Sequence, residues 1–231
     1  MAELIKDEYY EEMFRPNDSR RYGNGNIFYL VGFLFQFIGS VLVILWALDM
    51  RTNDKFMGGL TAFSIHPILM SIGFGVLLPV AVSTYQLAGH DIAKKWHMII
   101  HYITIVISLG GLTGVLIDHN YPNNGKPKGN LYSVHSWIGL LFLSFFYLHT
   151  IGFTYVFYAK RMIPHRYKFL QYHKQIGLWV LIVSTAILVT GITRKQSLMG
   201  CDELNLGCMV SNWATLCFIA GNLCTTLGLV K

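Results

Sequence analysis

Six apolar runs, each about as long as a bilayer is thick, constrain this chain more than any other feature. They cover residues 27–48, 65–85, 97–117, 132–158, 173–193 and 209–230. A helix needs roughly 20 apolar residues to cross about 30 Å of hydrocarbon. Composition agrees, since 53% of the 231 residues are hydrophobic and only 13% are charged, against about 25% charged in a soluble domain. The expected fold class is all-α: a six-transmembrane-helix bundle over residues 27–231, preceded by a polar tail over residues 1–26. That polar, acidic tail, followed by a long apolar run, argues against a cleavable signal peptide. Pro67 falls in the first turn of the second run, where its missing N–H costs nothing. Pro79 lies inside the same run and is expected to kink it.

Six crossings put both termini on one side. The tail, the 86–97 and 159–174 segments and Lys231 together hold twelve of the eighteen Lys and Arg residues, leaving Arg51, Lys55, Lys126, Lys128, Arg194 and Lys195 opposite. The positive-inside rule then predicts cytoplasmic termini. The formal charge of +6 is thereby read as topology, and no nucleic-acid partner is expected. The sequon Asn17-Asp18-Ser19 would be cytosolic and unglycosylated. Cys201 and Cys208 flank a polar loop on the opposite side, where a disulfide is possible. The spacing alone leaves that bridge open.

Four runs open on a histidine: His66 in SIHPILMSIGF, His97 in KKWHMIIHY, His135 in YSVHSWIGL and His173 in LQYHKQIGL. With alternating crossings, His66 and His135 share one depth, toward the non-cytoplasmic face. His97 and His173 share the other, toward the cytoplasm. Ionisable residues at membrane depth face the bundle interior and are functional candidates by default. Two neutral imidazoles on facing helices are the axial ligands a six-coordinate haem iron requires. A single histidine is as readily an interhelical hydrogen-bonding residue. Two pairs at two depths are harder to explain that way. Gly73, Gly75, Gly110, Gly111, Gly139 and Gly177 on these helices would let a flat macrocycle approach, or simply another helix.

The remaining histidines are less determined. His101 shares a helix face with His97, and spacing leaves either as the ligand. His149, fourteen residues after His135, either stands near the inner pair or is a hydrogen-bonding core residue, and the second is preferred. His90 and His165 fall in loops. His119 ends the third run on the outer side. The absence of a CxxCH motif is consistent with non-covalent haem.

Taken together, YSVHSWIGL, the SIHP start of the second run, KKWHMIIH and the late His173 make the chain resemble the cytochrome b561 family over about residues 60–195. The resemblance implies a dihaem protein with two haem b per chain. It would carry electrons from cytosolic ascorbate to monodehydroascorbate or a ferric chelate across an endomembrane (vesicle, lysosome or vacuole) or the plasma membrane, and homodimers are expected. It assigns His66 and His135 to the non-cytoplasmic haem and His97 and His173 to the cytoplasmic one, placing His101 off the iron. It also assigns His119 to the outer substrate site, and Lys94 and Arg166 to cytosolic ascorbate. No side chain is expected to act as a catalytic group. The chain departs from the family pattern at Val80 and Gln86, where an acidic residue and an Arg are usual, and at His90, which replaces a lysine. The loop 118–131 is also long. Two rivals follow from the same residues: a dihaem carrier with a quinol donor, and a transporter whose histidines carry protons or metal ions.

Overall fold

The computed structural model describes residues 25–88, 90–121, 127–158, 167–201 and 205–230. Its helices are α1 (Gly25–Leu48), α2 (Ala62–Leu87), α3 (His90–Asn120), α4 (Val134–Tyr158), α5 (Tyr167–Met199) and α6 (Leu206–Val230). All six are long and apolar enough to span a membrane. The described residues contain no strand. Helices α3 and α5 begin well before their apolar runs, so His97 and His173 sit one to two turns inside rather than at the helix ends. Hydropathy marks where lipid begins, whereas a helix continues into the polar interface.

Helices α2 to α5 surround the core, and α1 and α6 pack as an antiparallel pair along α2 and α5. Glycine is what lets α1 and α6 approach. A Cβ on Gly32 would fall 3.0 Å from the Gly221 carbonyl, and one on Gly221 would fall 2.8 Å from the Gly32 carbonyl. Polar bonds tie α6 to α5 as well: Asn222 donates to the Leu181 carbonyl at 3.0 Å and to Thr185 at 2.6 Å. Without water in the bilayer, such groups must be satisfied by protein.

The disturbance expected at Pro79 takes a definite form. Residues Ser71–Leu77 are π-helical, and the Leu78 N–H donates to the Gly73 carbonyl five residues back. Inserting a wider turn ahead of a proline accommodates the missing N–H and the ring without breaking the span. The π stretch brings Gly75 against α6, where an added Cβ would come 2.5 Å from the Phe218 ring. It also brings the Ser71 carbonyl within 3.0 Å of the Ser40 hydroxyl.

Outside the membrane spans, the α1–α2 connection is clipped by Asp49, which accepts from Arg51 Nη2 at 2.6 Å and from its backbone N–H at 2.9 Å. The Arg51 guanidinium holds the Asp49 carboxyl below the usual carboxylate range. Cys201 and Cys208 are joined by a disulfide, with Cα atoms 5.7 Å apart. It ties the end of α5 to the start of α6.

Candidate functional site

The four histidines fall into the two pairs that alternating spans require. The His66 and His135 ring centres are 6.3 Å apart with planes at 82°, and those of His97 and His173 are 5.9 Å apart at 79°. The pairs lie at opposite ends of the bundle. His97 hydrogen-bonds the carbonyl of Ala81, fifteen residues beyond His66 on α2, and His66 bonds that of Gly111, fourteen beyond His97 on α3. At 1.5 Å rise per residue, both helices put roughly 21 Å between the two levels.

Local sequence sets the pair at the His66 end. Thr61 caps α2 in a reciprocal box with Ser64, and Ser133 caps α4 by accepting the Ser136 N–H at 3.2 Å. Hydroxyl caps of this kind fix where a helix starts, and so fix His66 about one turn in and His135 within the first turn. The serines of YSVHSW are therefore the cap that sets the depth of His135.

Three of the four rings are oriented through Nδ1. With the proton on Nδ1, His66 donates to the Gly111 carbonyl at 3.1 Å and His97 to the Ala81 carbonyl at 2.8 Å. His135 donates to Thr190 Oγ1 at 3.3 Å, and that hydroxyl spends its own proton on the Ile187 carbonyl at 3.0 Å. Each bond fixes the tautomer that leaves Nε2 with a free lone pair. His173 Nδ1 is buried with no partner among the described residues.

A cavity of about 350 Å³ lies at the His66 end, lined by His66, His119, His135, Gly139, Arg194 and Lys195 among others. His119 is buried, and its Nδ1 donates to Asn130 Oδ1 at 3.2 Å, while the Asn130 amide donates to Asn120 at 3.1 Å. The Lys128 N–H and ammonium close the same turn on the His119 carbonyl and on Asp118. Lys128 and Asn130 thus form a clip that holds His119 at the cavity.

The other end is more aromatic. His149 lies flat on His173, with centres 5.1 Å apart and planes at 5°, and Phe153 packs on both. Against the preferred sequence reading, His149 belongs to the inner cluster. Its fourteen residues from His135 match the separation of the two levels, a signal that was visible in the spacing. The His101 ring is centred 4.4 Å from that of His97, and its buried Nδ1 is without a partner among the described residues. Lys94 stands at this end, donating to the Phe157 carbonyl at 3.4 Å, and the Phe157 ring packs on His173. Arg166 lies outside the described residues, as do residues 122–126 of the outer loop. Between the two levels, Phe74, Phe142 and Phe146 pack within 5.2–6.2 Å of one another. Phe74 lies in the π stretch of α2 and is buried there.

Both pairs fit a haem iron. About 2 Å per metal–nitrogen bond, taken on opposite sides of one metal, separates imidazole centres by about 6 Å. Gly139 and Gly177, each one turn beyond a histidine of a pair, have open space where a side chain would begin, with nothing nearer than 4.0 Å. Gly73, Gly110 and Gly111 instead meet neighbouring helices. Gly191 completes the cradle of His135, since a Cβ there would come 2.8 Å from the imidazole. Among the described residues no three His, Cys, Asp or Glu converge as a metal site, in keeping with centres that need only two protein ligands each.

Such a bundle defines a class: a polytopic membrane protein with one imidazole pair near each end of a four-helix core. The sequence profile described as eukaryotic cytochrome b561 matches residues 65–199, which are α2 to α5. The chain belongs to the eukaryotic cytochrome b561 family. A protein of Oryza sativa subsp. japonica named "Probable ascorbate-specific transmembrane electron transporter 2" is 29% identical over 186 residues, covering 77% of each chain. The Zea mays "Ascorbate-specific transmembrane electron transporter 1" is 27% identical over 191 residues, again covering 77% of each. The Arabidopsis thaliana "Transmembrane ascorbate ferrireductase 1" is 26% identical, covering 78% of this chain and 77% of its own.

Proposed function

We propose that the chain is an ascorbate-dependent transmembrane oxidoreductase, passing single electrons from cytosolic ascorbate to an acceptor at the opposite face. The observation that carries this reading is the presence of two half-buried imidazole pairs, with ring centres 6.3 and 5.9 Å apart, at opposite ends of one bundle. Relatives named for ascorbate-dependent electron transport or ferric reduction support the donor and the reaction class.

His66 and His135 would hold one haem b, and His97 and His173 the other. Haem b would supply reversible one-electron chemistry there, and holding it by two imidazoles would leave no position for O₂. The chain's own part is to orient the ligands, keep the span dry and gather the substrates. Gly111, Ala81 and Thr190 hold three of the imidazoles by Nδ1, and such outer bonds raise ligand basicity. Phe74, Phe142 and Phe146 fill the span between the two levels and exclude water from it. Lys94 and Arg166 are proposed to attract ascorbate, a monoanion near neutral pH. Lys94 also satisfies a carbonyl at the C-terminus of α4, where a cation is stabilising in any case. His119, held by Asn130, would face the acceptor, a ferric chelate or monodehydroascorbate.

The disulfide between Cys201 and Cys208 lies at the His66 end, as expected for a side facing an oxidising compartment. That agrees with the charge asymmetry of the loops and supports cytoplasmic termini. The haem domain would then be residues 27–231, after a cytoplasmic tail.

An absorption spectrum of the purified protein, with haem quantified per chain before and after adding ascorbate, tests the proposal. Two low-spin haems reduced by ascorbate are expected. Two haems reduced by dithionite alone would move the donor to a quinol, and a colourless protein would refute the reading.

A further inference from the structure

The cavity at the His66 end carries more positive charge than electron passage requires. Arg194 and Lys195, consecutive on α5, both line it. The Arg194 guanidinium lies 5.4 Å from the Tyr132 ring on one side, and the Lys195 ammonium 4.6 Å from the Phe63 ring on the other. Neither makes an ion pair among the described residues. Arg194 Nε is buried with no hydrogen-bond partner among the described residues. Asp118, the carboxylate beside His119, is already taken by Lys128 at 2.7 Å.

Aromatic contacts hold these two side chains in place without neutralising them. A guanidinium is a planar fork matched to a carboxylate, and an ammonium is a point charge with three donors. A buried guanidinium donor left unpaired has a cost that only an acceptor from outside the fold removes. Two such groups lining one cavity suit a ligand with more than one negative oxygen centre, larger than a single carboxylate. Interfacial lysines and arginines also meet lipid phosphates, but these two point into the cavity that His66, His135 and His119 line.

We propose that Arg194 and Lys195 form a receptor for a multiply charged carboxylate anion, and that they select a polycarboxylate ferric chelate as the acceptor at this face. The inference rests on the transmembrane electron-transfer reading above. Under it, ascorbate gives up one electron and releases one proton to water, becoming monodehydroascorbate, and the chelated ferric ion becomes ferrous with no proton taken up. A monoanionic acceptor would use only one of the two cations.

The test uses the haem-loaded protein in liposomes with ascorbate inside and two external acceptors, ferric citrate and the cation hexaammineruthenium(III). Arg194→Gln and Lys195→Gln should each raise KM for ferric citrate roughly tenfold, the loss of one charge-assisted contact. They should leave kcat in place and KM for the ruthenium cation unchanged or lower. Arg194→Lys should recover part of the loss. Variants are compared at equal haem content and melting temperature, which separates misfolding from lost recognition. A second measurement needs no electron: calorimetric titration of redox-inert gallium(III) citrate into the purified holoprotein. Saturable binding weakened by the same factor in both variants supports the site. Equal binding in all proteins, or none to the wild type, overturns it and leaves the pair as lipid-facing charge. If ascorbate reduces neither acceptor while gallium citrate still binds through Arg194 and Lys195, the electron-transfer reading falls and the anion site stands.

Discussion

At the residue scale, the molecule depends on how four imidazoles are held rather than on their presence alone. His135 is the most constrained, wedged between Thr190 and the backbone of Gly191. Thr190→Val removes the Nδ1 acceptor and keeps the shape. Outer bonds of this kind are worth roughly 10–100-fold in metal affinity, so this variant should lose haem from one centre at least tenfold faster, as followed by haem transfer to an apo-acceptor. Gly191→Ala places a methyl 2.8 Å from the His135 ring, a distance that forces the imidazole to move. Pyridine haemochrome assay of that variant should fall from two haems per chain to one. His149 makes a different prediction. It stacks on His173 without being needed as a ligand, so His149→Gln should retain two haems while shifting the absorption or potential of the inner centre only. Loss of a haem would instead make His149 a ligand.

At the element scale, α2 and the α1–α6 pair carry the design. Helix α2 supplies one imidazole of the pair at one end and the carbonyl that orients an imidazole of the other pair at the other, and its π stretch lies between them. The same stretch seats Gly75 against Phe218, so Gly75→Val should cost about 1–3 kcal/mol, the usual penalty of overpacking, seen as a lower melting temperature in detergent. Gly221→Val, which would separate the α1 and α6 backbones at their closest approach, should have a similar cost while leaving the haem ligands in place. The connection between α1 and α2 is pH-sensitive only in acid. Because Asp49 titrates lower in the folded chain, its bonds to Arg51 contribute from the ordinary aspartate range upward and are lost as pH falls through the depressed value. Amide exchange in residues 49–57 should therefore stay constant near neutrality and rise only under strong acid.

At the scale of the whole molecule, the proposed sidedness is the property that a membrane assay reads most directly. The Cys201–Cys208 bridge closes a short loop, for which the chain-entropy model gives about 2 kcal/mol. Its reduction should lower the melting temperature modestly without releasing haem. After reduction, a membrane-impermeant maleimide should label these cysteines only from the face opposite the termini. Labelling from the cytosolic side would overturn the proposed topology. The sequence by itself determined the six spans, their alternation and the His66–His135 pair, because bilayer thickness and the hydropathy of a helix are properties of consecutive residues, whereas spacing left His97 or His101 to face His173 and the folded chain brings His97 there. Three-dimensional packing alone decided how the rings are held. Ala81, Gly111 and Thr190 act through a backbone carbonyl or one hydroxyl, and nothing in their side chains marks that use. Packing also decided that His149 joins the inner pair, that Phe74 is buried on a π stretch, and that Arg194 and Lys195 line one cavity. Those outcomes depend on helix rotation, and rotation is set by which neighbours a glycine lets in, a relation between residues more than a hundred positions apart.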